Sequence, residues 1–231
     1  MNNRQKLILT TLLKNHIETG MPVSSGTIAR ESELDVSTAT VRSEMACLEE
    51  DGYIIQPHTS AGRIPTRIAY EWLISNLENR EINKKDAMEL EVKLNNLDEF
   101  DIKQTAKELA KKSGLAVFWA SDHNNLYYTG ISNLLQQPEF AHDRLLGDIS
   151  EMIDSLDEII NEVFDKVQIG PQIMFGDDNP FGNFCGAVVT KYRLGNEQGV
   201  IGIFGPLRMD YGKGMQLIKF LQKKLNNNYG D

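Results

Sequence analysis

The chain has 231 residues, 41% of them hydrophobic and 25% charged, with a net charge of −9. Those proportions are those of an ordinary globular protein of one large or two small domains, and they exclude disorder as the main state. No apolar run approaches the roughly 20 residues a bilayer span needs. Leu7–Leu13 holds two threonines, and no small-residue cleavage site follows it, so it fails as a signal peptide. Cys47 and Cys185 are far apart, which argues against a disulfide scaffold or zinc site and fits a reducing cytoplasm. The acidity is local: residues 81–170 carry 18 acidic and 9 basic side chains, residues 1–75 only 9 and 7. The global charge therefore neither supports nor excludes a nucleic-acid partner for the N-terminal part.

Residues 4–19 read as a helix, with Leu7, Ile8, Leu12 and Ile17 near helical spacing and Gly20-Met21-Pro22 as the stop. Ser24 or Ser25 caps a short second helix to Glu31, with Ile28 and Ala29 facing inward, and Glu33–Val36 is a turn. Ser37 caps a third helix to Asp51, with Val41, Met45 and Leu48 inward and Gly52 as its stop. Tyr53–Pro57 and Arg63–Pro65 flank a polar tip, His58-Thr59-Ser60-Ala61-Gly62, and read as a β-hairpin. Thr66 caps a fourth helix carrying Ile68, Tyr70, Trp72, Leu73 and Leu77. Three helices and a hairpin, the second and third helices joined by a tight turn, make a winged helix-turn-helix.

Residues 81–100 read as a linker helix with Leu90, Leu94 and Leu97 on one face. Asp101 and Gln104 offer a capping box for a helix to Lys112. Leu115–Ala120 and Leu126–Thr129 are strands around an Asn124-Asn125 turn. Residues 140–167 form the longest helical pattern, through Leu146, Ile149, Ile153, Leu156, Ile160, Val163 and Val167. That stripe packs on a sheet or pairs with a second copy of the chain. Two strands, Ala187–Tyr192 and Gly199–Phe204, turn at Leu194-Gly195-Asn196, and a helix closes the chain over Met215–Leu225. The fold class is mixed α+β, and the second half is an α/β unit.

The third helix is the strongest functional candidate. Thr38 and Arg42, like Ala39 and Ser43, stand one turn apart beside the apolar stripe. Small residues let a helix enter a major groove about 12 Å wide, where one arginine can grip a guanine edge bidentately. Thr38 and Thr40 can bond phosphates or meet a thymine methyl. An ordinary capped surface helix would explain the same residues taken alone. The hairpin tip adds His58, Thr59 and Ser60, with Arg63 and Arg67 beside it, a set suited to phosphates. Ser25, Thr27 and Ser37 complete the expected DNA-binding set. Catalysis is not expected: GxSxG and HExxH are absent, and His16, His58, His123 and His142 lack metal spacing. Gly205–Gly214 misses the phosphate-loop pattern, with Gly214 where Ser or Thr is needed. No cofactor is expected.

Ser37-Thr38-Ala39-Thr40-Val41-Arg42, Met45, Leu48-Glu49, Gly52-Tyr53 and the unbroken run Gln56–Thr66 resemble the heat-inducible transcription repressor HrcA family of bacteria. So do Thr19–Ser25, Tyr128–Leu135, Pro138-Glu139-Phe140 and Gly202–Tyr211, which spreads the resemblance over most of the chain. The resemblance implies a winged-helix domain (1–75), a helical linker (76–112) and a reduced GAF-like α/β domain (113–231). It implies a dimeric repressor on double-stranded DNA, at an inverted-repeat operator called CIRCE ahead of chaperone genes. It also implies a GroEL-type chaperonin that keeps the repressor active. Family members are usually longer, and the inserted dimerisation domain is expected to be missing here, so dimerisation falls to the 140–167 or 81–112 helices. Ser43 stands where the family often has asparagine, which would shift operator preference. The rival reading is a regulator responding to a small effector bound by the Gly-rich 199–214 stretch.

Overall fold

The computed structural model describes residues 1–32, 35–59, 61–94, 98–141, 143–177, 179–194 and 197–227. The chain forms two compact units, Met1–Leu77 and Glu78–Asp231. Among the described residues no helix is long and apolar enough to cross a membrane.

The first unit opens with α1 (Asn3–Thr19), started by a reciprocal Asn2–Gln5 capping box and stopped by Gly20 in the left-handed region. Ile8, Leu9, Leu12 and Leu13 are its buried face. The helix α2 (Ser25–Glu31) is capped by Ser24, and α3 (Thr38–Glu50) by Ser37, each hydroxyl accepting the amide three residues on. Val41, Met45 and Leu48 are the buried residues of α3. The expected turn before α3 includes residues 33 and 34, which lie outside the described residues. Strands β1 (Ile54–Ile55) and β2 (Ile64–Pro65) pair antiparallel as a short wing. Val23 bridges Arg63 and so adds a third edge.

Thr66 stands at the head of α4 (Arg67–Ser75) but makes no cap bond. Its hydroxyl donates instead to the carbonyls of Gly52 and Tyr53, tying the helix start to β1. Leu77 lies beyond the end of α4.

The second unit is a five-stranded antiparallel sheet in the order β4-β3-β7-β6-β5. Its strands are β3 (Ala116–Ala120), β4 (Leu126–Thr129), β5 (Gln172–Met174), β6 (Cys185–Leu194) and β7 (Glu197–Pro206). The helices α6 (Glu99–Ser113) and α10 (Tyr211–Asn227) pack on the sheet, and α5 (Lys84–Glu91) packs on them. The core around Phe118 and Phe204 is closed by α7 (Ile131–Leu135), a 3₁₀ turn at Pro138–Ala141, α8 (Asp143–Asp154) and α9 (Leu156–Lys166). Phe204 stacks on Phe181 with ring centroids 4.8 Å apart.

The structure corrects three local expectations. Asp98, not Asp101, caps α6: its side chain accepts the Asp101 amide, leaving Asp101 in the first turn. The expected 81–100 helix is only α5, started by Asn83, and Leu97 lies outside the described residues. The 140–167 helix is broken at Ser155, whose ψ of 15° ends α8, while Asp157 and Glu158 begin α9 where a helix dipole favours acids.

Most of the apolar stripe of α8 and α9 is spent on the chain's own core. Ile149, Met152, Leu156, Ile160 and Val163 are buried in the core with the sheet, while Leu146 of the same stripe stays exposed. Gly199, Gly202 and Gly205 lie within β7. A Cβ at each would press on Tyr192, Phe118 or Leu115 at 2.3–2.6 Å.

The α5–α6 pair is held by Lys112, whose ammonium lies 2.7 Å from Asp86 and 2.5 Å from Glu89. Burial pulls the Lys112 pKa down, but hydrogen bonds to both carboxylates outweigh it and the net shift is upward. Lys112 in turn holds Asp86 below the usual carboxylate range. Lys112→Met is expected to cost no more than about 1 kcal/mol in urea unfolding, because the Asp86 carboxylate it releases remains open to water. The depressed Asp86 pKa works in the acid range. Its contribution is present above the unfolded value near 3.9 and is lost as pH falls through the lower folded value. The stability gap between wild type and Lys112→Met is therefore expected to shrink below about pH 4.

Candidate nucleic-acid interface

The local sequence of α3 builds a two-faced rod. At about 100° per residue, Val41, Met45 and Leu48 fall on one side, and Thr38, Ala39, Arg42, Ser43 and Ala46 on the other. The first group is buried and the second is exposed. The Ser37 hydroxyl accepts the Thr40 amide at 3.1 Å and lies 3.0 Å from the Thr40 hydroxyl, so both serve the helix start. Thr27 serves α2 in the same way through Ser24, and Ser25 is half-buried in its first turn.

The cations divide sharply. Arg42 is exposed and has no ion pair or hydrogen bond among the described residues. Arg4 donates to Glu44 of α3 at 3.1 Å. Arg63 does not stand free at the base of the wing: its Nε and Nη2 both lie 2.9 Å from Glu49 Oε2. Arg67 pairs with Glu71 at 2.9 Å. Glu44 and Glu49 of α3 thus each carry an arginine partner, and Arg42 supplies the outward positive charge.

His58 and Thr59 are exposed at the wing tip, and Ser60 lies outside the described residues. The Gln56 side-chain amide donates to the carbonyls of Thr59 and Ala61 at 3.0 and 3.1 Å, which holds the tip folded. Gly62 passes so close to Val23 that a Cβ there would lie 2.4 Å from its carbonyl oxygen. Sequence reasoning missed Val23, Gln56 and Glu49. The β-formers around the tip were a signal for the hairpin, but partners 14 or 40 residues apart leave no local trace.

In the second unit, Cys185 is fully buried, and burial pushes its thiol up to about 12, far from a nucleophile's range. His123 packs at a tilt on Phe164 and meets Asn161 at 3.1 Å, while His142 lies outside the described residues. Among the described residues no group of three His, Cys, Asp or Glu side chains is placed to hold a metal.

Residues 63–215 match the family model described as the HrcA protein C-terminal domain. The heat-inducible transcription repressor HrcA of Carboxydothermus hydrogenoformans is 24% identical over 338 aligned positions, spanning 100% of this chain and 99% of that protein. Those 338 positions exceed this chain's 231 residues by 107, positions that the relative fills and this chain does not. The repressor of the same name from Bifidobacterium adolescentis is 47% identical over 75 residues, 32% of this chain and 20% of that protein. A crystal structure described only as that of a hypothetical protein superposes with a TM-score of 0.77 at 17% identity, covering 98% of both chains.

Proposed function

The chain belongs to the HrcA family of heat-inducible transcription repressors, and from that premise we propose that it represses chaperone genes by binding a CIRCE-type inverted repeat as a dimer. The observation that carries the reading is the outward side of α3. It is a strip of small side chains bearing one arginine with no ion pair among the described residues, on a helix whose other side is fully buried. Arg42 reads a base edge in the major groove, with Thr38 and Ser43 beside it. Ser37 and Thr40 brace the start of α3, and Ser25 and Thr27 offer hydroxyls to a phosphate from the first turn of α2. His58, Thr59 and Ser60 meet the backbone or minor groove from the wing, and Arg67 flanks them.

Two such helices related by a two-fold axis read the two halves of an inverted repeat. With most of the α8–α9 stripe buried, the 81–112 helices are left to join two copies. Met88, Val92 and Phe100 there are 67%, 64% and 67% exposed, apolar surface that a monomer has no use for. A GroEL-type chaperonin acts as the modulator that keeps the repressor competent. The test is a gel shift of the pure protein on an inverted-repeat operator, with and without chaperonin. A discrete complex of two protomers that strengthens with chaperonin is expected. A protein that stays monomeric at micromolar concentration and ignores the operator would overturn the reading.

A further inference from the structure

The wing is fastened to the recognition helix at one carboxylate. Glu49 Oε1 accepts the backbone amide of Gln56, where the chain leaves β1, at 3.1 Å. Glu49 Oε2 accepts Nε of Arg63, where the chain enters β2, at 2.9 Å, with Nη2 equally near. One side chain in the last turn of α3 therefore grips both legs of the hairpin. The backbone of Arg63 is also fixed, through mutual hydrogen bonds with Val23 at 2.8 and 2.9 Å. The Gln56 side chain extends the hold to the tip through Thr59 and Ala61. The strands between these points are only two residues long each, too short to orient a wing by their own ladder.

We propose that Glu49 is a positioning residue for DNA recognition: it locks the wing at a fixed angle to α3 through Arg63 and Gln56, so that helix and wing meet the duplex as one rigid reader. The proposal rests on the DNA-binding reading of α3 and adds to it. It assigns Arg63 to the hold on the wing rather than to a phosphate. It also explains why a carboxylate is tolerated close to a surface that must approach a polyanion: its charge is neutralised by Arg63 and its oxygens are occupied.

The two roles open to Glu49 predict opposite signs. A carboxylate that merely sits near the interface repels phosphates, so Glu49→Gln would tighten binding and release Arg63 for the backbone. A carboxylate that sets the wing cannot be replaced by an amide, which does not accept both the guanidinium and the Gln56 amide with a full charge. The experiment uses the full chain, with wild type, Glu49→Gln, Arg63→Gln and the double variant titrated on a CIRCE-type inverted-repeat duplex and on a scrambled duplex. Hydrogen exchange at the Gln56 amide is followed in the free proteins. Either single variant is expected to bind the inverted repeat about tenfold more weakly, with a smaller loss on the scrambled duplex and faster Gln56 exchange. The double variant is expected to lose no more than either single one, because both remove the same clasp. Unchanged or tighter binding by Glu49→Gln, additive losses, or unchanged Gln56 exchange would overturn the proposal. If wild type itself fails to prefer the inverted repeat while Glu49→Gln still speeds Gln56 exchange, the repressor reading falls and the clasp stands as wing architecture alone.

Discussion

Arg42→Ala is expected to weaken binding to the inverted repeat by about 1–3 kcal/mol and to relax the base preference at one position of each half-site. The size follows from what surrounds it. Arg42 lies in the second turn of α3, between Ala39, Ser43 and Ala46, side chains too short to keep the helix out of a groove. Three other arginines of the first unit are engaged, Arg4 with Glu44, Arg63 with Glu49 and Arg67 with Glu71, and Arg30 stands on α2 rather than α3. None of these can replace a bidentate contact to a guanine edge. Arg42 is exposed, so its loss is expected to change folding stability by less than about 0.5 kcal/mol. The check is a titration against the inverted repeat and against duplexes altered at single positions, alongside urea unfolding. An equal loss on every sequence would reduce Arg42 to a phosphate contact.

The largest effect on stability is expected at Phe204→Ala, about 3–5 kcal/mol in denaturant unfolding. Phe204 is fully buried in the central strand β7, stacked on Phe181 at an interplanar angle of 15°, with Phe118 6.3 Å away on β3. Across the sheet it faces Ala116 and Ala187, whose methyl groups cannot reach into the space a missing ring would leave. Gly202 opens the room that Phe118 occupies, with a built Cβ only 2.5 Å from the ring, so Phe118 is already fixed and cannot shift to fill a void. The cavity should persist, and the cost should sit at the high end for a phenylalanine. A total stability of about 5–15 kcal/mol leaves little after that loss. A change below about 1 kcal/mol would mean that this core does not hold the second unit together.

What was legible in the sequence was what neighbours in sequence decide. Ser37, the 4–3 spacing of Val41, Met45 and Leu48, and the Gly52 stop are all local, and α3 spans Thr38–Glu50 as they require. The hairpin around the polar tip and the strands at 116–120 and 126–129 were legible for the same reason. The break at Ser155 was not, because the apolar spacing continues across it from Met152 to Leu156 and both helices bury that spacing in the same core. The sheet order was hidden as well: β3 pairs with β7 some eighty residues later, and strands buried on both faces lack the alternation that marks an edge. In the interface, the outward residues of α3 could be named from helical spacing. The Glu49–Arg63 pair could not, since an arginine beside a polar turn reads equally well as a phosphate contact until its partner 14 residues earlier is seen.

The central claim is that the outward side of α3 lies in the major groove, and guanine N7 is the atom that reports it. Dimethyl sulfate footprinting of a CIRCE-type inverted repeat, with wild type and Arg42→Ala each at saturating concentration, reads that atom directly. The account predicts symmetric protection of a guanine in each half-site by wild type, with that guanine alone reopened by Arg42→Ala. Identical protection by both proteins, or no protected guanine in a wild-type complex, would contradict it.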